Sequence, residues 1–318
     1  METVKTILSA SRPISWINTA APFAAGYILS VGSFDWKLIV GFFFFLFPYN
    51  LLMYGVNDIF DYESDKNNPR KNSIEGGLAP PRTHRQIWAA IAIFCVPLAA
   101  VAFSWGNTAS KAWLAFSLFM VVAYSLKGLR FKEIPLIDSF TSSTHFYSPL
   151  VYGLLLGGGL TGYWPAIIAF VLWGMASHAF GAIQDIQFDR EANIKSVGTV
   201  FGAKATAWFC FLLYSAVVVI VALNFQGTMG RLVSCALLLY PVVTASCLKV
   251  TDKTAATTNV AWKQFLWINQ IVGFTITMAY LTSLPAYTPS LTLVSLVTFV
   301  IIASALAIAA RNTRQLTK

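Results

Sequence analysis

The stretch Trp36-Lys-Leu-Ile-Val-Gly-Phe-Phe-Phe-Phe-Leu-Phe-Pro-Tyr-Asn-Leu-Leu-Met-Tyr-Gly-Val-Asn57 runs without a break into Asp58-Ile-Phe-Asp61-Tyr-Glu-Ser-Asp65. Residues 36–57 carry one charge, Lys37, and reach the length of about 20 residues that a helix needs to cross a bilayer. The segment 58–65 holds four acids. An apolar span that ends in a cluster of carboxylates describes a membrane helix with a polar task at one mouth.

The rest of the chain extends the pattern. Of 318 residues, 57% are hydrophobic and 11% charged, with mean hydropathy +0.65, whereas soluble domains carry roughly 25% charged residues. A soluble enzyme is excluded. Ten spans are expected, at 13–33, 36–57, 86–105, 109–127, 135–157, 163–184, 204–224, 229–249, 262–283 and 289–310. Cys95, Cys210, Cys235 and Cys247 stand singly in apolar runs and read as packing residues, with no disulfide or zinc spacing. The N-terminus has no cleavable-signal pattern, so the first span is expected to stay as a helix.

If the ten spans alternate in direction, only Lys37, Lys111 and Arg231 of the 22 basic residues fall on one side. That bias predicts a cytoplasmic N-terminus, C-terminus and pair of long loops. It also accounts for the net charge of +9 by topology, with no nucleic-acid partner implied.

The long connections 58–85 and 185–203 follow the second and sixth spans, a spacing that suggests a weak four-helix repeat. They hold eight of the 13 acids: Asp58, Asp61, Glu63, Asp65, Glu75, Asp185, Asp189 and Glu191. In a continuing helix Asn57, Asp61 and Asp65 share a face at i, i+4 and i+8, with Asp58 one step round. Asp185 and Asp189 repeat the i, i+4 pair. Oxygen ligands of this kind suit Mg²⁺, which is commonly held by one or two carboxylates plus substrate phosphate. Two facing pairs would hold two ions with a diphosphate between them. The bland alternative is two solvated acidic helix ends neutralised by Arg70, Lys71 and Arg190.

After the fourth span comes Tyr124-Ser-Leu-Lys127-Gly-Leu-Arg130-Phe-Lys132. Tyr124 and Lys127, an i, i+3 pair, could bond a phosphate oxygen and stabilise charge on departing diphosphate; snorkelling is the alternative. Arg130 and Lys132 read as interfacial anchors. The broken stretch around Asn67-Asn-Pro-Arg70-Lys71 reads either as a lid with Arg70 or Lys71 as a clamp, or as a plain polar turn. His84 is expected in a loop. His145 and His178 lie inside spans and read as hydrogen-bonded packing residues, with catalysis as the alternative, and Asn18 and Asp138 could line a cavity or bond a neighbouring helix.

These motifs resemble those of the UbiA superfamily of intramembrane prenyltransferases over about residues 10–285. The resemblance implies an all-α polytopic membrane protein, a single domain over 1–318, with nine to ten helices around a central cavity. It further implies Mg²⁺ and a prenyl diphosphate at the cytoplasmic mouth. Matched by motif, Asn57, Asp58, Asp61, Asp65, Asp185 and Asp189 are metal ligands, Asp58 less directly, and Tyr124 and Lys127 contact the diphosphate. The superfamily is commonly described with nine helices, so span 289–310 has no assigned role.

Longer stretches are similar to the lycopene elongase branch: Ser11-Arg-Pro-Ile-Ser-Trp-Ile-Asn-Thr19, Pro48 to Asn57, Asn68-Pro-Arg-Lys71, Ser142-Ser-Thr-His-Phe146 and Asp189-Arg-Glu-Ala-Asn193. That similarity implies transfer of a C5 unit from dimethylallyl diphosphate to the terminal double bond of lycopene, in C50 carotenoid synthesis. The rivals are an aromatic prenyltransferase of quinone synthesis and a non-enzymatic carotenoid or cation transporter. No general base for the last proton loss is evident in the sequence.

Overall fold

The computed structural model describes residues 2–66 and 78–283, and among these every regular element is helical. In chain order they are α1 (Glu2–Ala10), α2 (Ile17–Val31), α3 (Trp36–Leu46), α4 (Pro48–Asp65), α5 (Pro81–Ala90), α6 (Val96–Trp105), α7 (Thr108–Ser125), α8 (Ile137–Leu156), α9 (Trp164–Ile183), α10 (Ile186–Glu191), α11 (Val197–Asn224), α12 (Gly227–Leu237), α13 (Leu239–Ala245) and α14 (Asn259–Ser283).

Six of these segments are long and apolar enough to cross a membrane: Trp36–Glu63, Pro81–Trp105, Trp164–Ile183, Val197–Asn224, Gly227–Ala245 and Asp252–Thr282. α2, α7 and α8 occupy three further expected spans. The span expected at 289–310 lies outside the described residues, as do Arg70 and Lys71.

Several breaks follow from local chemistry. Pro48 starts α4 at a position where its missing N–H costs nothing. Asp35 caps α3 by accepting from the Lys37 and Leu38 backbone N–H groups. Pro97 donates no backbone N–H, and the turn before it, Ile91–Cys95, widens to a π-helix that keeps α5 and α6 continuous. His84, expected in a loop, lies within α5. Of the four cysteines, Cys235 is exposed while the other three pack.

α8 runs through the middle of the bundle, packed against α2, α7 and α9. Its approach to α2 is backbone to backbone. A Cβ on Gly26 would lie 2.3 Å from the Leu150 carbonyl oxygen, and one on Gly153 would lie 2.6 Å from that of Phe23. Gly153 and Gly157 form the small-xxx-small pattern that lets membrane helices meet closely. The Ser30 hydroxyl donates to the Gly26 and Gly153 carbonyls across the seam.

Two apolar cores flank this axis. One gathers Phe23, Phe44, Phe45 and Tyr49 from α2 to α4 with neighbours on α5 to α8. The other gathers Phe180, Tyr214, Tyr240 and Phe265 from α9, α11, α13 and α14.

Because no side chain can retreat from a backbone contact, Gly153→Val should destabilise the protein more than the about 1–3 kcal/mol typical of overpacking. Ala substitution at the open Gly159 should cost far less. Thermal unfolding of both variants in one detergent checks the difference.

Candidate active site

α4 continues through the first acidic motif to Asp65, so Asn57, Asp61 and Asp65 do lie along one helical face. Their surroundings differ. Asn57 accepts a hydrogen bond from the Ser125 hydroxyl, 2.9 Å away at the end of α7. Asp61 is buried, 3% exposed, and is gripped by Lys132, with the Arg130 guanidinium 3.7 Å away.

Asp58 is turned elsewhere. Its carboxylate accepts from the Arg12 guanidinium at 2.5 Å, with both side chains buried. Arg12 also donates to the Ser9 carbonyl and lies over the Tyr54 ring at 5.5 Å. Asp58, expected as a less direct metal ligand, is thus held by a guanidinium as Asp61 is held by Lys132. The arginine that neutralises it was not singled out by the motif spacing.

The basic residues are likewise redistributed. Tyr124 sits half-buried in the last turn of α7, but Lys127, the next candidate along, is exposed. Beyond it Gly128, at φ +100°, and Arg130, at φ 43°, turn the chain back. The return places Lys132 on Asp61, and Arg130 bonds Glu133 as well as facing Asp61. Arg130 and Lys132, expected to be membrane anchors, are thus the cations at the first motif. Lys127, spaced as a helical partner of Tyr124, stands past the end of α7 where that reversal begins.

The second motif straddles a break. α9 ends at Ile183, Asp185 occupies the N-cap position of α10, and Asp189 follows within α10. Both carboxylates are half-buried. Arg190 turns away to Asp252 at 2.7 Å and to the Thr199 carbonyl, so it serves the start of α11 and not the motif. Asp252 in turn accepts from the Ala203 N–H, beside Gly202 at φ +80°.

Tyr124 stands in the last turn of α7 with its ring edge-on to those of His145 and His178, and the first motif reaches the same end of α7 through the Asn57–Ser125 hydrogen bond. The donor set, apart from the cations, is oxygen alone. Among the described residues, no three His, Cys, Asp or Glu side chains form a ready metal cage. Such a set suits an ion that keeps its waters and completes its shell with substrate phosphates, which is the behaviour of Mg²⁺.

Residues 19–269 match the family model described as the UbiA prenyltransferase family. The chain is 49% identical over 281 residues to the C(50) β-cyclic carotenoids biosynthesis protein LbtBC of Dietzia sp. (strain CQ4), covering 87% of this chain and 65% of that longer relative. It is 44% identical over 280 residues to a lycopene elongase/hydratase of Corynebacterium glutamicum, covering 87% of this chain and 97% of the relative. Among solved structures, a UbiA homologue from Archaeoglobus fulgidus bound to DMAPP and Mg²⁺ superposes with a TM-score of 0.62. That match is 18% identical and covers 84% of this chain and 98% of the other.

Removing one member of a buried ion pair strands the other, a loss of about 3–5 kcal/mol. Arg12→Met should therefore lower the melting temperature sharply, and the double variant Arg12→Met/Asp58→Asn should recover much of the loss. Equal melting of the single and double variants would show that Asp58 finds another partner.

Proposed function

Since the chain belongs to the UbiA prenyltransferase family and is an intramembrane prenyltransferase, we propose that it transfers the C5 group of dimethylallyl diphosphate to an end of lycopene. The observation that carries the donor half is the burial of Asp61 against Lys132, with Arg130 3.7 Å away, on the carboxylate face at the end of α4. The acceptor half rests on the relatives named lycopene elongase/hydratase, one of them 44% identical over nearly its whole length.

Asp61, Asp65, Asp185 and Asp189, aided by Asn57, would hold two Mg²⁺ ions at the diphosphate. When bound, Mg²⁺ supplies the charge neutralisation that lets diphosphate leave. Lys132 and Arg130 take over the part expected of Lys127, donating to phosphate oxygens on which negative charge grows. Arg70 and Lys71 are proposed to clamp the same group.

The C–O bond of the donor breaks with its electron pair going to diphosphate, which leaves an allylic cation. Tyr124 lies beside that carbon and presents a ring that stabilises a cation without reacting with it. Burial on α7 to α9 keeps water from the cation. The terminal alkene of lycopene then attacks it, and a new C–C bond forms. By the positive-inside bias, the diphosphate end opens to the cytoplasm, while the acceptor enters from the bilayer.

In lipid vesicles containing lycopene, purified protein given Mg²⁺ and dimethylallyl diphosphate should form C45 and C50 products. Prenylation of 4-hydroxybenzoate in place of lycopene would overturn the acceptor assignment. Asp61→Asn and Lys132→Met should each cut turnover by about 100-fold or more, whereas exposed Lys127→Met should stay within about threefold of the native rate. The reverse order for the two lysines would return the diphosphate contact to Lys127.

A further inference from the structure

Below the acidic rim lies a polar cluster to which the transfer step gives no part. Asp138, at the start of α8, is completely buried. One carboxylate oxygen accepts from the Ser139 N–H at 2.6 Å and the other from the Val197 N–H at 2.7 Å. Among the described residues the only ionisable side chain paired with it is His178, whose Nε2 is 3.8 Å from Oδ2. That separation is long for a hydrogen bond and short enough for an imidazolium to be drawn onto the carboxylate.

His178 lies on α9, five residues before the helix ends at Ile183. It keeps 19% of its side-chain surface open while Asp138 keeps none. Tyr124 meets the rings of His178 and His145 edge-on, with centroids 6.2 and 5.2 Å away. His145 is 4% exposed, and its buried Nε2 has no hydrogen-bond partner among the described residues. It is an acceptor on which a water molecule could dock.

Addition of a C5 cation to an alkene leaves a tertiary carbocation on the acceptor. It ends in one of two ways. Either a neighbouring C–H gives its electron pair to a new C=C bond and releases a proton, or a water oxygen forms a C–O bond and sheds a proton. Both need a base beside the new cation, and Tyr124 marks where that cation forms.

We propose that His178 is the catalytic base that takes this terminating proton, with Asp138 as the positioning residue that holds its ring and balances its charge. His145 has no carboxylate to balance a charge and serves the water instead. The protonated His178 afterwards passes its proton to the departing diphosphate. This inference rests on the alkene-acceptor reading above. The groups facing His178 are Asp138 and His145 from α8 and Tyr124 from α7, with Asp61 of α4 and Asp189 of α10 beyond Tyr124.

The test compares native protein, His178→Gln and Asp138→Asn in lycopene-loaded vesicles with Mg²⁺ and dimethylallyl diphosphate. The readout is the long product formed per diphosphate released. His178→Gln should lower that ratio about tenfold or more. Dimethylallyl alcohol, formed when water quenches the donor cation, should accumulate in place of the long product. Asp138→Asn should lower the ratio in the same direction, because the ring loses the carboxylate that holds it.

If Asp138→Asn does not fold for want of the Val197 contact, His178→Gln carries the test, since His178 holds no backbone group. A folded His178→Gln with native coupling of product to diphosphate release would overturn the proposal and leave diphosphate as the base. So would equal loss of diphosphate release and product, which would move His178 to the ionisation step. Native protein that prenylates 4-hydroxybenzoate and ignores lycopene would instead overturn the acceptor reading, whatever the His178 result.

Discussion

A carboxylate removed from water inside a bilayer-embedded bundle must be neutralised, and the connections between helices are shaped by that demand. Desolvating an ion costs several kcal/mol even after relaxation. Asp58 is answered by Arg12, and Asp61 by Lys132 with Arg130 nearby. To reach those positions Arg12 and Arg130 both adopt left-handed backbone, at φ 50° and 43°, a conformation that costs a non-glycine residue about 1–2 kcal/mol. The chain accepts local strain at two arginines to place two cations.

The bundle supplies the rigid frame for this arrangement. Gly26, Gly153 and Gly157 bring α2 and α8 to backbone contact, which fixes α8 as the axis between the two apolar cores. α8 in turn carries Asp138 and His145 inward, where α7 presents Tyr124 and α9 presents His178. A polar cluster on a central helix is costly unless its groups find partners. Here Asp138 is held by the Ser139 and Val197 N–H groups and faces His178.

Much of this was legible in the sequence because membrane helices and i, i+4 carboxylates are local patterns. The all-helical class, the apolar spans and the shared face of Asn57, Asp61 and Asp65 follow from residues close together in the chain. What the sequence hid depends on turns and on distant contacts. Lys127 has the right spacing on paper, but a reversal through Gly128 and Arg130 delivers Lys132. Arg12 meets Asp58 across 46 positions, and no motif announces such a pair. His178 reads as a lone histidine until folding sets it beside Asp138, 40 residues earlier.

The central claim is that carboxylates from two distant helix ends act together on one diphosphate. Calorimetric titration of inorganic diphosphate into the protein in nanodiscs, with and without Mg²⁺, tests it most directly. Binding should require Mg²⁺ and should be lost equally on substituting Asp61→Asn in α4 or Asp189→Asn in α10. Binding that is independent of Mg²⁺, or that survives either substitution unchanged, would contradict it.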